Sequence, residues 1–593
     1  MSKHTYDYGL IGNCSYQAHI HKDTTIEWMC WPRFDSSFIF GKMLDNDKGG
    51  GFSILPSGEI KESKQYYLEN TNILCTEITS EEGRYRVTDF APRFHQYDRY
   101  FKPLMLIRKV EPLEGRPRVK VSCEPVGDYG NLKPMQYEAS NHIEYLGLAK
   151  ELRLTTNFSL SYIVQDNYIV LNETKYLALT YGAPLEAPLV STCETFLDRT
   201  KRYWRGWVKN LSVSNFHQAD INRSALVLKI HQYEDTGAII AAGTTSLPEA
   251  PGSGRNWDYR YCWMRDAYYT LTAFNNIGHF EELERYFNYI VNISVKSRER
   301  FQPLYGITGH EMLTEQTLDL KGYLGNQPVR VGNQAYTHVQ NDVYGQILAA
   351  LLPLYVDRRF INVERSDSLH LVYDILKQID QLMNEPDAGL WEFRTLSQYH
   401  CYTYLFHWTG AKAAFKIGKM FGDEKIVRLA EKLVKESTEK IEACFDASRG
   451  VYTQAIGSKN LDASNLQLIM MGYLENGSEA TQKHLKALEA ELKSSEGLFY
   501  RYKHADDFGE PETTFLICAF WHVEALTCAG RIDEAIKAFE NLLTYGNHLG
   551  LLSEDVDAKT GSQWGNFPQA YSHVGLVNAA YRISRKLDKP NFL

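Results

Sequence analysis

This 593-residue chain has no apolar run of the roughly 18 residues that a membrane-crossing helix needs, so no transmembrane segment is expected. The opening residues MSKHTYDYGLIGNCS lack the apolar stretch of a secretory signal, which leaves a cytoplasmic location with reduced thiols as the expectation. Ten cysteines are present but scattered, with no CxxC and no Cys/His ligand spacing. A zinc site is therefore not expected, and nothing calls for another metal or a cofactor. Asp45-Asn-Asp-Lys-Gly-Gly50 begins like a calcium loop but lacks the acidic residue that closes one. An excess of positive charge is also missing: 64 Lys and Arg face 73 Asp and Glu, a net −9, with no basic stripe. That excludes an ordinary nucleic-acid partner.

What the chain does have is aromatic surface. Aromatic residues make up 13%, including 39 Tyr and 10 Trp, the residue types that cover the C–H face of a sugar ring while their polar tips hydrogen-bond. The length exceeds one hydrophobic core, so two or more domains are expected. The first third reads as strands. Tyr66–Ile78, Arg84–Phe90, Met105–Val110, Val119–Pro125, Leu152–Tyr162 and Tyr168–Thr180 are short, rich in β-branched and aromatic residues, and separated by turn residues. Many short strands without helices between them predict a large antiparallel sandwich.

Near Thr200 the apolar period changes to that of helices, beginning with Arg202–Asn210 and Ile221–Tyr233. About a dozen follow, joined in pairs by short connections such as Gly418-Lys-Met-Phe-Gly-Asp423. Paired helices build either a superhelical stack or a closed double ring of six inner and six outer members. No 34- or 40-residue repeat is visible, which disfavours the stack. The expected division is a sandwich over residues 1–200, a helical linker over 201–235 and a helical domain over 236–593.

Two distant stretches, Gly389-Leu-Trp-Glu-Phe-Arg394 and Gly550-Leu-Leu-Ser-Glu-Asp555, each offer one glutamate. A pair of carboxylates across a pocket is the minimum equipment for breaking a glycosidic bond: one donates a proton to the leaving oxygen, the other activates water or attacks carbon. Trp391 and Phe393 flank Glu392, and apolar neighbours raise a carboxyl pKa, as an acid requires. Glu554, between Ser553 and Asp555, reads as the wetter site suited to a base. Asp506, Asp507 and Glu510 read as solvated loop acids, Glu512 as a further pocket residue, and His338, His400 and His573 as rim or core residues.

Several motifs then point to one family. Tyr8-Gly-Leu-Ile-Gly12, Ile26-Glu-Trp-Met-Cys-Trp-Pro-Arg-Phe-Asp35 and Gly49-Gly-Gly-Phe-Ser53 resemble the opening of a trehalase-like N-terminal domain. Asn256-Trp-Asp-Tyr-Arg-Tyr-Cys-Trp-Met-Arg-Asp-Ala267 is similar to the substrate-binding signature of glycoside hydrolase family 15. Pro328–Asn333, Gln340–Gly345, Gly389–Arg394, Gly497–Arg501, Gly550–Asp557 and Gly565–His573 continue the resemblance in order along nearly the whole chain.

The resemblance implies an N-terminal β-sandwich followed by an (α/α)6 barrel, and an inverting mechanism on a terminal α-linked glucose. By motif, Glu392 matches the general acid and Glu554 the general base. Arg265 and Asp266 match a pair that bonds the outer hydroxyls of the bound glucose. Tyr259 matches a tyrosine near the reacting carbon, and Trp257, Trp263 and Trp391 would line the pocket. The reading is an exo-acting hydrolase that releases β-glucose from maltose, malto-oligosaccharides or related α-glucans. The alternative is a trehalase with the same chemistry. A phosphorylase would need no base, and a non-catalytic glycan-binding protein would not need both carboxylates. Residues 395–400, Thr409-Gly410 and Asp555 depart from the family pattern beside the two glutamates, where the second sugar would lie.

Overall fold

The computed structural model describes residues 3–296, 300–360 and 365–587. Two antiparallel sheets form the N-terminal part. One runs in the order Tyr8–Gly12, Gln17–His21, Ile26–Cys30, Gly51–Pro56, Arg118–Glu124 and Ile169–Val170, with Phe38–Phe40 beside the third. The other runs Met135–Glu138, His142–Leu146, Leu152–Thr156, Lys175–Tyr181, Met105–Gly115, Gly83–Phe90, Leu74–Ser80 and Glu62–Tyr67. Alternation explains the inner face. Phe52, Ile54 and Pro56 are buried, and their register partners Cys123, Val121 and Val119 lie buried opposite them. Ile20, Phe52 and Ile54 from the first sheet share one core with Val87, Leu106 and Leu179 from the second.

Three expected strands are broken, and one of them, Tyr168–Thr180, is split into Ile169–Val170 and Lys175–Tyr181, which join different sheets. Tyr66–Ile78 is two strands, because Asn70 takes a left-handed backbone (φ 58°) and the Thr71 hydroxyl donates to the Leu68 carbonyl. Leu152–Tyr162 ends as a strand at Thr156, whose hydroxyl accepts the Phe158 N–H and turns the chain into a short helix, α1 (Leu160–Val164). The helix expected over Arg202–Asn210 starts earlier, as α2 (Leu189–Lys209), with Pro188 at its entry.

Twelve helices follow among the described residues. Six line the inside: α4 (Met264–Ile277), α6 (Asp342–Val356), α8 (Cys401–Phe421), α10 (Gln467–Met470), α12 (Leu516–Cys528) and α14 (Ala570–Leu587). Each packs on the next, and α14 returns to α4, which closes the ring. The outer six are α3 (Gln218–His231), α5 (Phe280–Lys296), α7 (Arg365–Leu382), α9 (Glu424–Glu442), α11 (Glu479–Leu492) and α13 (Ile532–Leu543).

Inner and outer helices differ in sequence as their surroundings require. Every residue of α12 is buried. In α9 only one stripe is, namely Ile426, Val427, Ala430, Leu433, Ser437 and Ile441, and Asp423 caps it by accepting the Lys425 and Ile426 N–H groups. Glycine sets the tightest inner crossing: a side chain at Gly345 of α6 would run into the Phe406 carbonyl of α8. The sandwich and the ring are joined by a buried ion pair, in which both Arg93 nitrogens reach Glu234 at 2.6 and 2.7 Å. Removing one partner of such a pair costs about 3–5 kcal/mol.

Candidate active site

Five of the loops that lead into inner helices wall a single pocket, so it opens at the N-terminal ends of those helices. Unpaired N–H groups there favour electron-rich ligands. The loop before α4 is extended, and alternation sorts its side chains. Trp257, Tyr259 and Trp263 face the pocket and Asp258, Arg260 and Cys262 are buried behind it, while a bend at Tyr261 turns that ring away to accept the Gly332 N–H. Arg260 is held by Asp258 at 2.7 and 2.8 Å and donates to the Ser36 carbonyl of the sandwich. The wall is thus anchored to the N-terminal domain.

This run grips both glutamates. Trp263 Nε1 donates to Glu392 Oε1 at 2.7 Å, and the Tyr259 hydroxyl donates to Glu554 Oε1 at 2.7 Å. The two rings meet edge to face, 5.3 Å apart. Glu392 sits at the end of a tight turn in which its N–H bonds the Gly389 carbonyl. Its backbone is left-handed (φ 63°), which costs a non-glycine residue on the order of 1 kcal/mol and aims the side chain at the pocket. Arg265 and Gln340 also donate to Glu392 Oε1, both at 3.3 Å.

The local settings differ from those the neighbours in sequence predict. Trp391 and Phe393 do not form an apolar sleeve around Glu392. Trp391 donates to Asp462 at 2.8 Å, and Phe393 packs on His400 and Tyr502. Adjacent residues in a turn point apart, so Glu392 is surrounded by donors. Nor is Glu554 wet. It is 1% exposed, and burial together with nearby Glu249 pushes its carboxyl up, opposed by Tyr259, Arg501 and the Asn566 N–H. Asp555 is fully buried and pushed up for the same reasons.

Arg265 and Asp266 both line the pocket, 3.8 Å apart. Arg265 bonds Gln340 at 2.8 Å, and burial lifts Asp266 to about 7 despite the guanidinium. Glu512 is placed elsewhere: Pro511 and Thr513 turn inward, and Glu512 between them faces solvent, outside the lining. Asp507 and Glu510 are exposed loop acids, as expected, but Asp506 is partly buried and paired. Arg255 clamps Asp506 through both nitrogens, at 2.5 and 2.9 Å, and Asp507 accepts the Arg394 and Thr395 N–H groups. His338 lines the rim, whereas His400 and His573 are buried.

Sequence reasoning passed over Glu249, whose carboxylate takes Arg501 on one oxygen and Trp257 Nε1 on the other at 2.9 Å. It also passed over Gln340 and Asn566. Gln340 stood inside a quoted motif, which was the available signal. Glu249 stood in none. Among the described residues, no group of three or more His, Cys, Asp or Glu is placed to hold a metal ion.

The profile for Glycosyl hydrolases family 15 matches residues 216–581, and that for a trehalase-like N-terminal domain matches residues 5–167. The chain belongs to glycosyl hydrolase family 15. It is 32% identical to a trehalase of Thermoplasma volcanium, over 98% of this chain and 94% of that one. It is 33% identical to a trehalase of Thermoplasma acidophilum (94% and 96%) and 30% identical to one of Mycobacterium tuberculosis (98% and 89%). In structure it resembles a bacterial glucoamylase solved with acarbose, with a TM-score of 0.70 at 15% identity, covering 98% of this chain and 95% of that one. That likeness carries the family 15 fold, an N-terminal antiparallel β-sandwich followed by an (α/α)6 barrel. The chain is a glycoside hydrolase, and among its described residues no helix is long and apolar enough to cross a membrane.

Proposed function

We propose that this family 15 enzyme hydrolyses α,α-trehalose with inversion, with Glu392 as proton donor and Glu554 as base. The observation that carries the reading is the delivery of both carboxylates to one pocket, each held by a ring donor from the same extended run. All three donors on Glu392 fall on Oε1, so Oε2 carries none of those bonds and is the oxygen from which a proton would pass. As the C1–O bond breaks, that proton goes to the departing oxygen. Water adds to C1 from the opposite face and loses its proton to Glu554. The cycle leaves Glu392 ionised and Glu554 protonated, and exchange with solvent resets both.

Arg265 and Asp266 would bond the outer hydroxyls of the glucose under attack. A fixed donor beside a fixed acceptor penalises an epimer that leaves one unpaired. Two observations favour trehalose over a longer glucan. The relatives that match the chain nearly end to end are named trehalases. A turn at Asp506–Gly509 also contributes Asp506, Asp507 and Phe508 to the pocket wall, tied by Arg255 and by Arg394 and Thr395. We read this strap as a limit on substrate length, a wall for a second sugar and a barrier to a third.

Proton NMR of the anomeric signals tests this on trehalose and maltotriose in parallel. Inversion gives equal early α- and β-glucose from trehalose, because the attacked ring inverts while the departing ring keeps its configuration. Early β-glucose from maltotriose with trehalose untouched would transfer the assignment to a glucoamylase-type activity. Early α-glucose alone from trehalose would mean retention and would remove Glu554 as base.

A further inference from the structure

We propose that Tyr6, at the start of the N-terminal domain, is a positioning residue for Glu554. The inference rests on the reading of Glu554 as base and gives the N-terminal segment a part in the chemistry. Residues 4–6 lie along the edge of the short hairpin formed by Asp555–Val556 and Gln563–Trp564. Gln563 N–H donates to the His4 carbonyl at 2.9 Å, Tyr6 N–H donates to the Gln563 side chain at 3.1 Å, and the His4 ring stacks on Trp564 at 4.4 Å. Tyr6 is fully buried, and its hydroxyl donates to the Gly565 carbonyl at 2.8 Å.

That carbonyl belongs to the same peptide unit as the Asn566 N–H, which donates to Glu554 Oε2 at 3.2 Å. A peptide unit is planar, so fixing its oxygen from one side fixes the direction of its N–H on the other. Donation to the oxygen also polarises the unit and strengthens the N–H as a donor. Gly565 allows the close approach: a β-carbon there would lie 2.5 Å from Glu554 Cβ and Oε2. From the far side, Thr244 donates to the Asn566 side chain at 2.9 Å, and that side chain donates to the Trp257 carbonyl at 2.9 Å. Tyr6 therefore reaches the carboxylate through one rigid unit, without touching substrate.

The test is Tyr6→Phe in the full chain, which keeps the ring against Phe567 and removes only the donor. Loss of one hydrogen bond that acts on the transition state lowers kcat about tenfold. KM should stay within about twofold, and the acidic limb of the pH profile should move to higher pH. α-Glucosyl fluoride separates the two sides of the site, since fluoride departs without an acid but still needs the base. Tyr6→Phe should depress it by the same factor as trehalose.

His4→Ala, which unstacks Trp564 but leaves the 565–566 peptide alone, should lower Tm with kcat and the pH profile unchanged. A Tyr6→Phe enzyme with lower Tm but wild-type kcat and pH profile would make Tyr6 merely structural and overturn the proposal. If Tyr6→Phe fails to fold, 3-fluorotyrosine at position 6 keeps the bond and strengthens the donor. The acidic limb should then fall, and an unmoved limb is the overturning result. A wild type that spares trehalose but cleaves the fluoride removes the substrate reading and leaves the Tyr6 test intact. A wild type inert on both overturns the two together.

Discussion

The two glutamates reach the same pocket from opposite kinds of structure. Glu392 stands on a strained surface turn, its side chain 21% exposed, held by three donors that all come from the helical domain. Glu554 is buried just before the central strand of a small three-stranded sheet, held by one phenol and one backbone N–H, behind which stands the N-terminal domain. The difference teaches that neighbours in sequence are a poor guide to a carboxylate's surroundings. Glu392, between a tryptophan and a phenylalanine, is the donor-rich one. Glu554, between a serine and an aspartate, is the desolvated one. Burial favours the proton on Glu554, so the proposed base must be ionised against its setting before the reaction can begin.

The largest test of this contrast is removal of each carboxylate in turn. Glu392→Gln and Glu554→Gln should each lower kcat on trehalose by about 10²–10⁴-fold, or about 3–5 kcal/mol of barrier. α-Glucosyl fluoride then assigns the roles: Glu392→Gln should retain most of its activity on the fluoride, while Glu554→Gln stays inactive. The reverse pattern would exchange acid and base and bring the roles into line with the burial of Glu554.

Smaller, but more direct, is the response to pH. A carboxylate base works only when ionised, and burial and Glu249 hold the Glu554 pKa above the ordinary carboxylate range. The acidic limb of kcat/KM should therefore lie above that range, with activity gained as pH rises through it. Glu249→Gln removes the like charge at nearly constant shape, keeping one of the two acceptor oxygens that Arg501 and Trp257 use, so the limb should move to lower pH. Stability runs the other way. A carboxyl raised on folding contributes stability below its unfolded pKa, and that contribution is lost as pH rises through the folded value. Asp266 and Asp342, both lifted to about 7, and Asp387, lifted to about 6, should make the enzyme lose Tm between about pH 4 and 7. A flat Tm over that window would mean these acids stay hydrated.

What could be read from the sequence follows the range of the forces involved. The outer helices are legible because each carries its own period: in Ile532–Leu543, Ala535, Phe539 and Leu542 mark one face by themselves. The extended run 257–263 was recognised by motif, and alternation explains which of its residues face the pocket. The Tyr6–Gly565 bond spans 559 residues, and no local pattern announces it. The same holds for Glu249, which is placed by Arg501 from far along the chain. Glu512 failed for a local reason: a residue between two inward-facing ones in extended chain points outward.

The smallest expected effect concerns the mouth, and it sharpens the contrast from the Glu392 side. Asp507 joins the strap to the residues just after Glu392 by accepting the Arg394 N–H at 2.5 Å, the Thr395 N–H at 3.1 Å and the Thr395 hydroxyl. These bonds are exposed, and such contacts are worth about 1 kcal/mol or less each. Asp507→Ala should therefore leave kcat on trehalose within about twofold and raise KM about three- to tenfold, as the second sugar loses a fixed wall. The freed strap should also let a third sugar in, so kcat/KM for maltotriose should rise relative to that for trehalose. Glu554, braced by the N-terminal domain and not by the strap, should keep the acidic limb where it was. If KM and the maltotriose ratio stay fixed, the strap does not limit substrate length. If the acidic limb moves, the two sides of the pocket are coupled through the mouth and the division drawn between them fails.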